Sequence, residues 1–209
     1  VARRAHLPEV RVKPLDALRA HDPRLVAVGA SAGAVEALLE LLPELPATLP
    51  APVLVVVHVP RDRKSALPAL FAARCGVRVA EAEDKIEADA GTVYFAPAGY
   101  HLLVERDGRL ALSSDELVNL SRPSIDVLFE SAAFAFGPRA LGIVLSGANA
   151  DGAHGLALIR QRGGLAWVQD PGTAQVSYMP DAAIAAASPD AVLAPSAMAR
   201  VLADWGAAA

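Results

Sequence analysis

From Pro52 to His58 the chain reads PVLVVVH, apolar at nearly every position until it meets a histidine. A strand with one face in water alternates apolar and polar side chains. A run this uniform fits a strand buried on both faces, the situation of a parallel strand in a sheet covered by helices. Other apolar runs of strand length, Leu25 to Val28, Thr92 to Ala96, Leu141 to Leu145 and Leu165 to Gln169, alternate with Ala/Leu-rich stretches of helical length. The helical stretches are Val35 to Leu42, Ser65 to Arg74, Ser124 to Ala135 and Gly152 to Arg162, and two more frame Ala191 to Leu193. Leu102 to Leu112 reads as a hairpin turning at Asp107-Gly108. The expected fold is therefore a single α/β domain, a mostly parallel sheet with helices on both faces and a small antiparallel hairpin. Residues 24–209 are read as that domain. Residues 1–23 are read as an N-terminal tail or linker remnant, and Ala207 to Ala209 as a fraying end.

Composition narrows the function classes. Hydrophobic residues are 54% of the chain, much of that Ala, and no uncharged apolar run reaches membrane-spanning length. The opening VARRAHLPEVRVKPLD has no apolar core or small-residue cleavage pattern, so no secretory signal is read there and the cytoplasm is the expected location. A single cysteine, Cys75, allows no internal disulfide and is read as a small hydrophobe in a helix. A net charge of −4 and an aromatic content of 5% argue against a nucleic-acid partner.

Chemistry gathers at three strand ends, where the loops of open α/β sheets converge on one crevice. Ser31 stands in GASAG between a strand and a helix, the pattern of a nucleophile elbow, where free N–H groups at a helix start favour an oxyanion. An N-cap serine in a glycine turn has the same pattern. His58 closes the apolar strand just before Pro60, which places its ring at the rim and suits a general base; a rim histidine satisfied by water also fits. Asp151, in LSGANADGAHG, sits just before a helix. An Asp-Gly pair there is commonly an N-cap or a turn, and the case for Asp151 rests on its company, since an acid, a base and a nucleophile at strand ends are what acyl transfer requires.

In order along the chain, VAVGASAGAVEAL, VVVHVP, VYFAPAGYHLLV, RPSIDVLFES, GIVLSGANADGAHGL and YMPDAAI resemble the catalytic domain of the chemotaxis protein-glutamate methylesterases, the CheB family, over about Arg24 to Trp205. The resemblance implies Ser31, His58 and Asp151 as catalytic serine, histidine and aspartate, in a chain order unlike the Ser, Asp, His of ordinary α/β-hydrolases. It implies hydrolysis of glutamyl methyl esters on the cytoplasmic helices of chemoreceptors, glutamine deamidation as a second activity, and no cofactor. Where the family commonly has a Thr and two glycines after the serine, the chain has Ala32, Gly33 and Ala34, so one hydroxyl and one glycine are missing, and Ala148 stands where methionine is frequent. Neither change removes a backbone N–H, so the amides of Ala32 and Ala148 stand as oxyanion-hole candidates. The residues before Arg24 are too few for the family's receiver domain, which is expected to have been excised or never present.

Two other classes compete. A nucleotide-binding domain would use the same glycine turn, but GASAG lacks the full dinucleotide fingerprint and the next strand ends in His58 rather than an acidic ribose contact. A catalytically degenerate receptor-binding module of the same family is supported only by Ala34 and Ala148. Further residues are kept outside the site: His154 is expected to face away from the crevice or into a neighbouring helix, His101 to line the crevice or the surface, and Arg122 and Asp126 to pair with each other. Arg61, Arg63 and Lys64 are read as a solvated loop, with steering of acidic helices as the alternative.

Overall fold

The computed structural model describes residues 13–60 and 64–207. In chain order the elements are α1 (Pro14–His21), β1 (Leu25–Ala30), α2 (Ala34–Leu41), β2 (Val53–Val57), α3 (Leu67–Ala72), β3 (Arg78–Glu81), β4 (Thr92–Phe95), β5 (His101–Val104), β6 (Leu110–Ser113) and α4 (Ile125–Phe136). After them come β7 (Ala140–Val144), α5 (Ala153–Gln161), β8 (Leu165–Gln169), α6 (Tyr178–Ala187), β9 (Ala191–Leu193) and α7 (Pro195–Gly206). Seven strands form one parallel sheet in the order β3-β4-β2-β1-β7-β8-β9, and β5 and β6 form a separate antiparallel hairpin.

The uniformly apolar strands are buried on both faces, as their composition requires. Val26 and Val28 of β1 and Val53, Val55 and Val57 of β2 pack with α2 and α7 through Leu38, Leu41, Met198, Leu202 and Trp205. Leu25, Ala27, Leu54 and Val56 point the other way, into a second cluster with Leu128 and Phe129 of α4 and Leu156 and Ile159 of α5. The two-residue alternation of strand side chains divides one apolar run between two cores.

Three expectations are corrected. Part of the presumed tail, Pro14–His21, is a helix whose Leu18 is fully buried and which packs on α7; its apolar face is short, and Arg19 and His21 mask it in the sequence. Residues 1–12 lie outside the described residues. The helix expected over Ser65 to Arg74 is confined to Leu67–Ala72, with the Leu67 amide donating to the Ser65 hydroxyl. Strand β3 was not expected; it is a half-exposed edge strand paired only with β4, and its RVAE carries little apolar signal.

Gly29 in β1 is required by a close approach. A Cβ there would lie 2.2 Å from Cγ2 of Ile125, the first residue of α4, and a β-branched side chain yields little. Gly29→Ala is expected to lower stability by about 1–3 kcal/mol by overpacking, measured as a fall in the thermal midpoint; an unchanged melt would show that α4 can back away freely.

Candidate active site

Connections leave β1 toward β2, β3 and β4 on one side, while β7, β8 and β9 lie on the other, so the strand order reverses between β1 and β7. Ligands bind outside the carboxyl ends of strands at such a switch point. Ser31 follows β1, His58 follows β2, and Asp151 lies in the loop after β7. The pairing of Ala30 with Val57 makes Ser31 and His58 the next positions in register, on strands spaced about 4.8 Å apart. The ladder continues past the strands: the His58 amide donates to the Ala30 carbonyl at 3.3 Å and the Ser31 amide to the Ser146 carbonyl at 2.9 Å.

The turn that carries Ser31 is closed by the Ala34 amide donating to the Ser31 carbonyl at 3.0 Å. Gly33, the N-cap of α2, has φ +79°, and a Cβ there would meet Ser146 Oγ at 2.6 Å, so a second residue type is excluded on both counts. Ser146, fully buried, donates its hydroxyl to the Ala32 carbonyl at 2.7 Å, and its own amide is held by Gln169 Oε1 at 2.8 Å. Sequence reasoning did not single out Ser146 or Gln169; a buried glutamine at a strand end was the available signal.

His58 and Asp151 are in contact. His58 Nε2 donates to Asp151 Oδ2 at 2.8 Å, with the histidine side chain 13% exposed and the aspartate side chain 0%. Asp151 Oδ2 also accepts from the Ile125 amide at 2.6 Å. Its Oδ1 accepts from Asn119 Nδ2 at 2.6 Å, Ser124 Oγ at 2.8 Å and the Asp126 amide at 3.2 Å. Burial by itself would push this carboxyl up; the hydrogen bonds from His58, Asn119, Ile125 and Ser124 outweigh it and hold the carboxyl below its ordinary value. Asp151 does not cap its own helix, since Gly152 is the N-cap of α5 with no side-chain hydrogen bond. Its carboxylate instead takes the first amides of α4, where the helix dipole favours an anion.

The other ring nitrogen, His58 Nδ1, faces Asn149 Nδ2 at 3.5 Å, and Asn149 Oδ1 accepts the Asp151 amide at 3.2 Å, which fixes the way the carboxamide points. No hydrogen bond joins the Ser31 hydroxyl to the ring or to any other described residue, and the side-chain contacts of the ring are those to Asp151 and Asn149.

The sequence matches the family model for CheB methylesterase over residues 26–202. The chain belongs to the CheB methylesterase family. It is 43% identical over 159 residues to a putative protein-glutamate methylesterase/protein-glutamine glutaminase of Leptospira interrogans, covering 76% of this chain and 82% of that protein. It is 40% identical over 160 residues to the protein-glutamate methylesterase FrzG of Myxococcus xanthus, covering 77% of this chain and 48% of FrzG, so it spans about half the length of that relative. The crystal structure of the Thermotoga maritima CheB methylesterase catalytic domain superposes with a TM-score of 0.83 at 29% identity, over 87% of this chain and 98% of that one. Membership makes the chain a hydrolase of the methylesterase class, and the fold is that of the CheB catalytic domain.

Within this CheB fold the remaining expectations sort as follows. His154, 75% exposed at its side chain, faces α4 and pairs with Glu130 at 3.1 Å, as expected. His101 neither lines the crevice nor lies on the surface: it is buried, its Nε2–H donating to the Glu116 carbonyl and its Nδ1 accepting the Ser124 amide, so it braces the residue that precedes α4. Arg122 and Asp126 do not pair. Arg122 donates to the carbonyls of Ser114 and Asp115, while Asp126 accepts from Asn119 and the Gly155 amide. The helical spacing that suggested a pair does not hold, because α4 begins only at Ile125. Arg61 and Arg63 lie outside the described residues, and Lys64 lies 3.9 Å from Glu81. No described helix is long and apolar enough to cross a membrane.

The two buried carboxylates predict opposite pH contributions. Asp151, held below its ordinary value, contributes stability that is present above about pH 4 and lost as pH falls through its folded value. Asp126 is pushed up, by burial first and by facing Asp151, so its contribution is full below about pH 4 and lost as pH rises through its folded value. Urea midpoints taken from about pH 6 to pH 3 should fall on the acid side in the parent protein and fall less steeply in Asp151→Asn; parallel curves would remove Asp151 as the source.

Proposed function

We propose that this chain demethylates glutamyl methyl esters on the cytoplasmic helices of chemoreceptors by serine catalysis, with Ser31 as nucleophile, His58 as general base and Asp151 as the carboxylate that orients it. The observation that carries the reading is the 2.8 Å contact from His58 Nε2 to Asp151, with Ser31 and His58 each directly following the paired residues Ala30 and Val57 on adjacent strands. An ionised Asp151 can only accept, so Nε2 bears the proton and Nδ1 holds the lone pair of the neutral ring. Nδ1 takes the Ser31 proton as Oγ attacks the ester carbonyl. The oxyanion is met by the amides of Ala32 and Ala148, neither of which donates to any described acceptor. Collapse of the tetrahedral intermediate expels methanol, which takes the proton from Nδ1. Water, deprotonated by the same nitrogen, then releases the glutamate carboxylate and restores Ser31. The same steps on a glutamine side chain release ammonia, the second activity named for the Leptospira relative.

The reaction needs no cofactor, and the cytoplasm is where such receptor helices are met. Ala34 and Ala148, which suggested a degenerate binding module, leave the His58–Asp151 pair and the backbone amides in place. The test is release of labelled methanol from a methylated receptor cytoplasmic fragment by the purified chain. Release above the spontaneous rate is expected; binding of the fragment without release would favour the binding module.

A further inference from the structure

We propose that the carboxamide of Asn119, itself oriented by Asp126, is the positioning residue that aims the Asp151 carboxylate at His58. The proposal rests on the reading of Ser31, His58 and Asp151 given above. A carboxamide has two N–H bonds, and Asn119 commits both to carboxylates: one to Asp151 Oδ1 at 2.6 Å, the other to Asp126 Oδ2 at 2.7 Å. Turned over, it would set its carbonyl against two anionic oxygens, so the pair of carboxylates leaves it one orientation. Asp126 is fixed in turn, because its Oδ1 accepts the Gly155 amide of α5 at 2.7 Å.

This linkage explains how the Asp151 carboxylate plane is set. Oδ2 is shared by His58 and the Ile125 amide, while Oδ1 is gripped by Asn119, the Ser124 hydroxyl and the Asp126 amide. Ser124 and the Asp126 amide come with the start of α4. Asn119 comes from a separate loop and is the shortest of the three. That loop is braced: Val118 and Ser121 exchange backbone hydrogen bonds at 3.2 and 2.9 Å, and Arg122 grips the carbonyls of Ser114 and Asp115. Asn119 has φ +51°, a left-handed conformation that asparagine tolerates well. The Asp126 carboxyl is pushed up by burial and by the nearby Asp151, while the hydrogen bonds from Gly155 and Asn119 pull the other way. The Asp126 side chain makes no hydrogen bond to His58, and its hydrogen-bonded link to the Asp151 carboxylate is Asn119.

The test measures kcat and KM for methanol release from a methylated receptor fragment, with thermal melts, for Asn119→Ala, Asp126→Asn and the double variant of the full chain. Loss of one hydrogen bond to a charged group predicts a fall in kcat of about tenfold for Asn119→Ala, with KM nearly unchanged. Asp126→Asn removes one of the two anionic oxygens that fix the orientation of Asn119 and is expected to lose about as much, with the double variant no worse than either single one, since all three break the same chain. Parent-like kcat in Asn119→Ala, or losses that add in the double variant, would overturn the proposal; a purely structural role would lower the melt and leave kcat alone. If Asp126→Asn does not fold, Asn119→Asp reads the same link by setting a third carboxylate between the two, and a loss smaller than that of Asn119→Ala overturns it. Asp151→Asn run alongside separates the failures. Normal turnover there removes the underlying reading and this proposal together, whereas impaired turnover there beside a normal Asn119→Ala removes only this proposal.

Discussion

Ser31→Ala is expected to abolish methanol release while leaving the thermal melt where it was. The hydroxyl bonds to no described residue, so its removal strands no buried partner, and the stability change should stay within about 0.5 kcal/mol. The turn does not depend on it either: the Ser31 amide and carbonyl, bonded to Ser146 and Ala34, and the left-handed Gly33 remain as they were. On the proposed mechanism the chemistry, by contrast, loses its acceptor for the acyl group. In a serine hydrolase that loss is worth on the order of 10⁶ in kcat, and what survives comes from the backbone amides and from substrate binding. Turnover within tenfold of the parent, in protein that melts normally, would end the assignment of Ser31 as nucleophile.

Asp151→Asn is expected to reduce kcat on the order of 10⁴ and, unlike Ser31→Ala, to lower stability as well. Two carboxylate oxygens receive donors from His58, Ile125, Asn119, Ser124 and Asp126. An asparagine keeps one oxygen and sets an NH2 group against the donors on the other side. If the NH2 faces Asn119 and Ser124, those donors are stranded. If it faces His58, the ring must turn Nε2 into an acceptor, which puts the proton on Nδ1, the nitrogen that the proposed mechanism uses as its base. The unpaired donors cost about 1–3 kcal/mol, visible as a lower melting temperature. A carboxylate that merely caps α4 predicts the melt to fall and kcat per folded molecule to stay normal. Assay below the melting temperature of the variant, beside the melt itself, tells the two apart.

What could be read in the chain beforehand depended on how local the signal was. The apolar runs at β1, β2, β7 and β8 declare parallel strands because burial on both faces leaves a mark on every residue. The glycines around Ser31 are also local: Gly33 is needed for its positive φ, and Gly29 for the approach of Ile125. The elements that were missed carry weak local signals. Helix α1 has one fully buried side chain, Leu18, and β3 is a partly wet edge.

The sequence alone determined the class of fold, the family resemblance and the three residues at the strand ends, since each rests on a residue's chemistry and on its immediate neighbours. Only the tertiary structure decided how those residues are held. That Asp151 takes the N-terminal amides of α4 rather than of α5, that His101 braces Ser124 instead of facing the crevice, and that Asn119 joins Asp126 to Asp151 are contacts across 23 to 32 residues of chain for Ser124–His101 and Asn119–Asp151. Spacing along a helix or strand carries no information about them. They arise because packing Ile125 onto Gly29 brings the start of α4 beneath the loop after β7, where buried donors must find an acceptor and the Asp151 carboxylate is within reach.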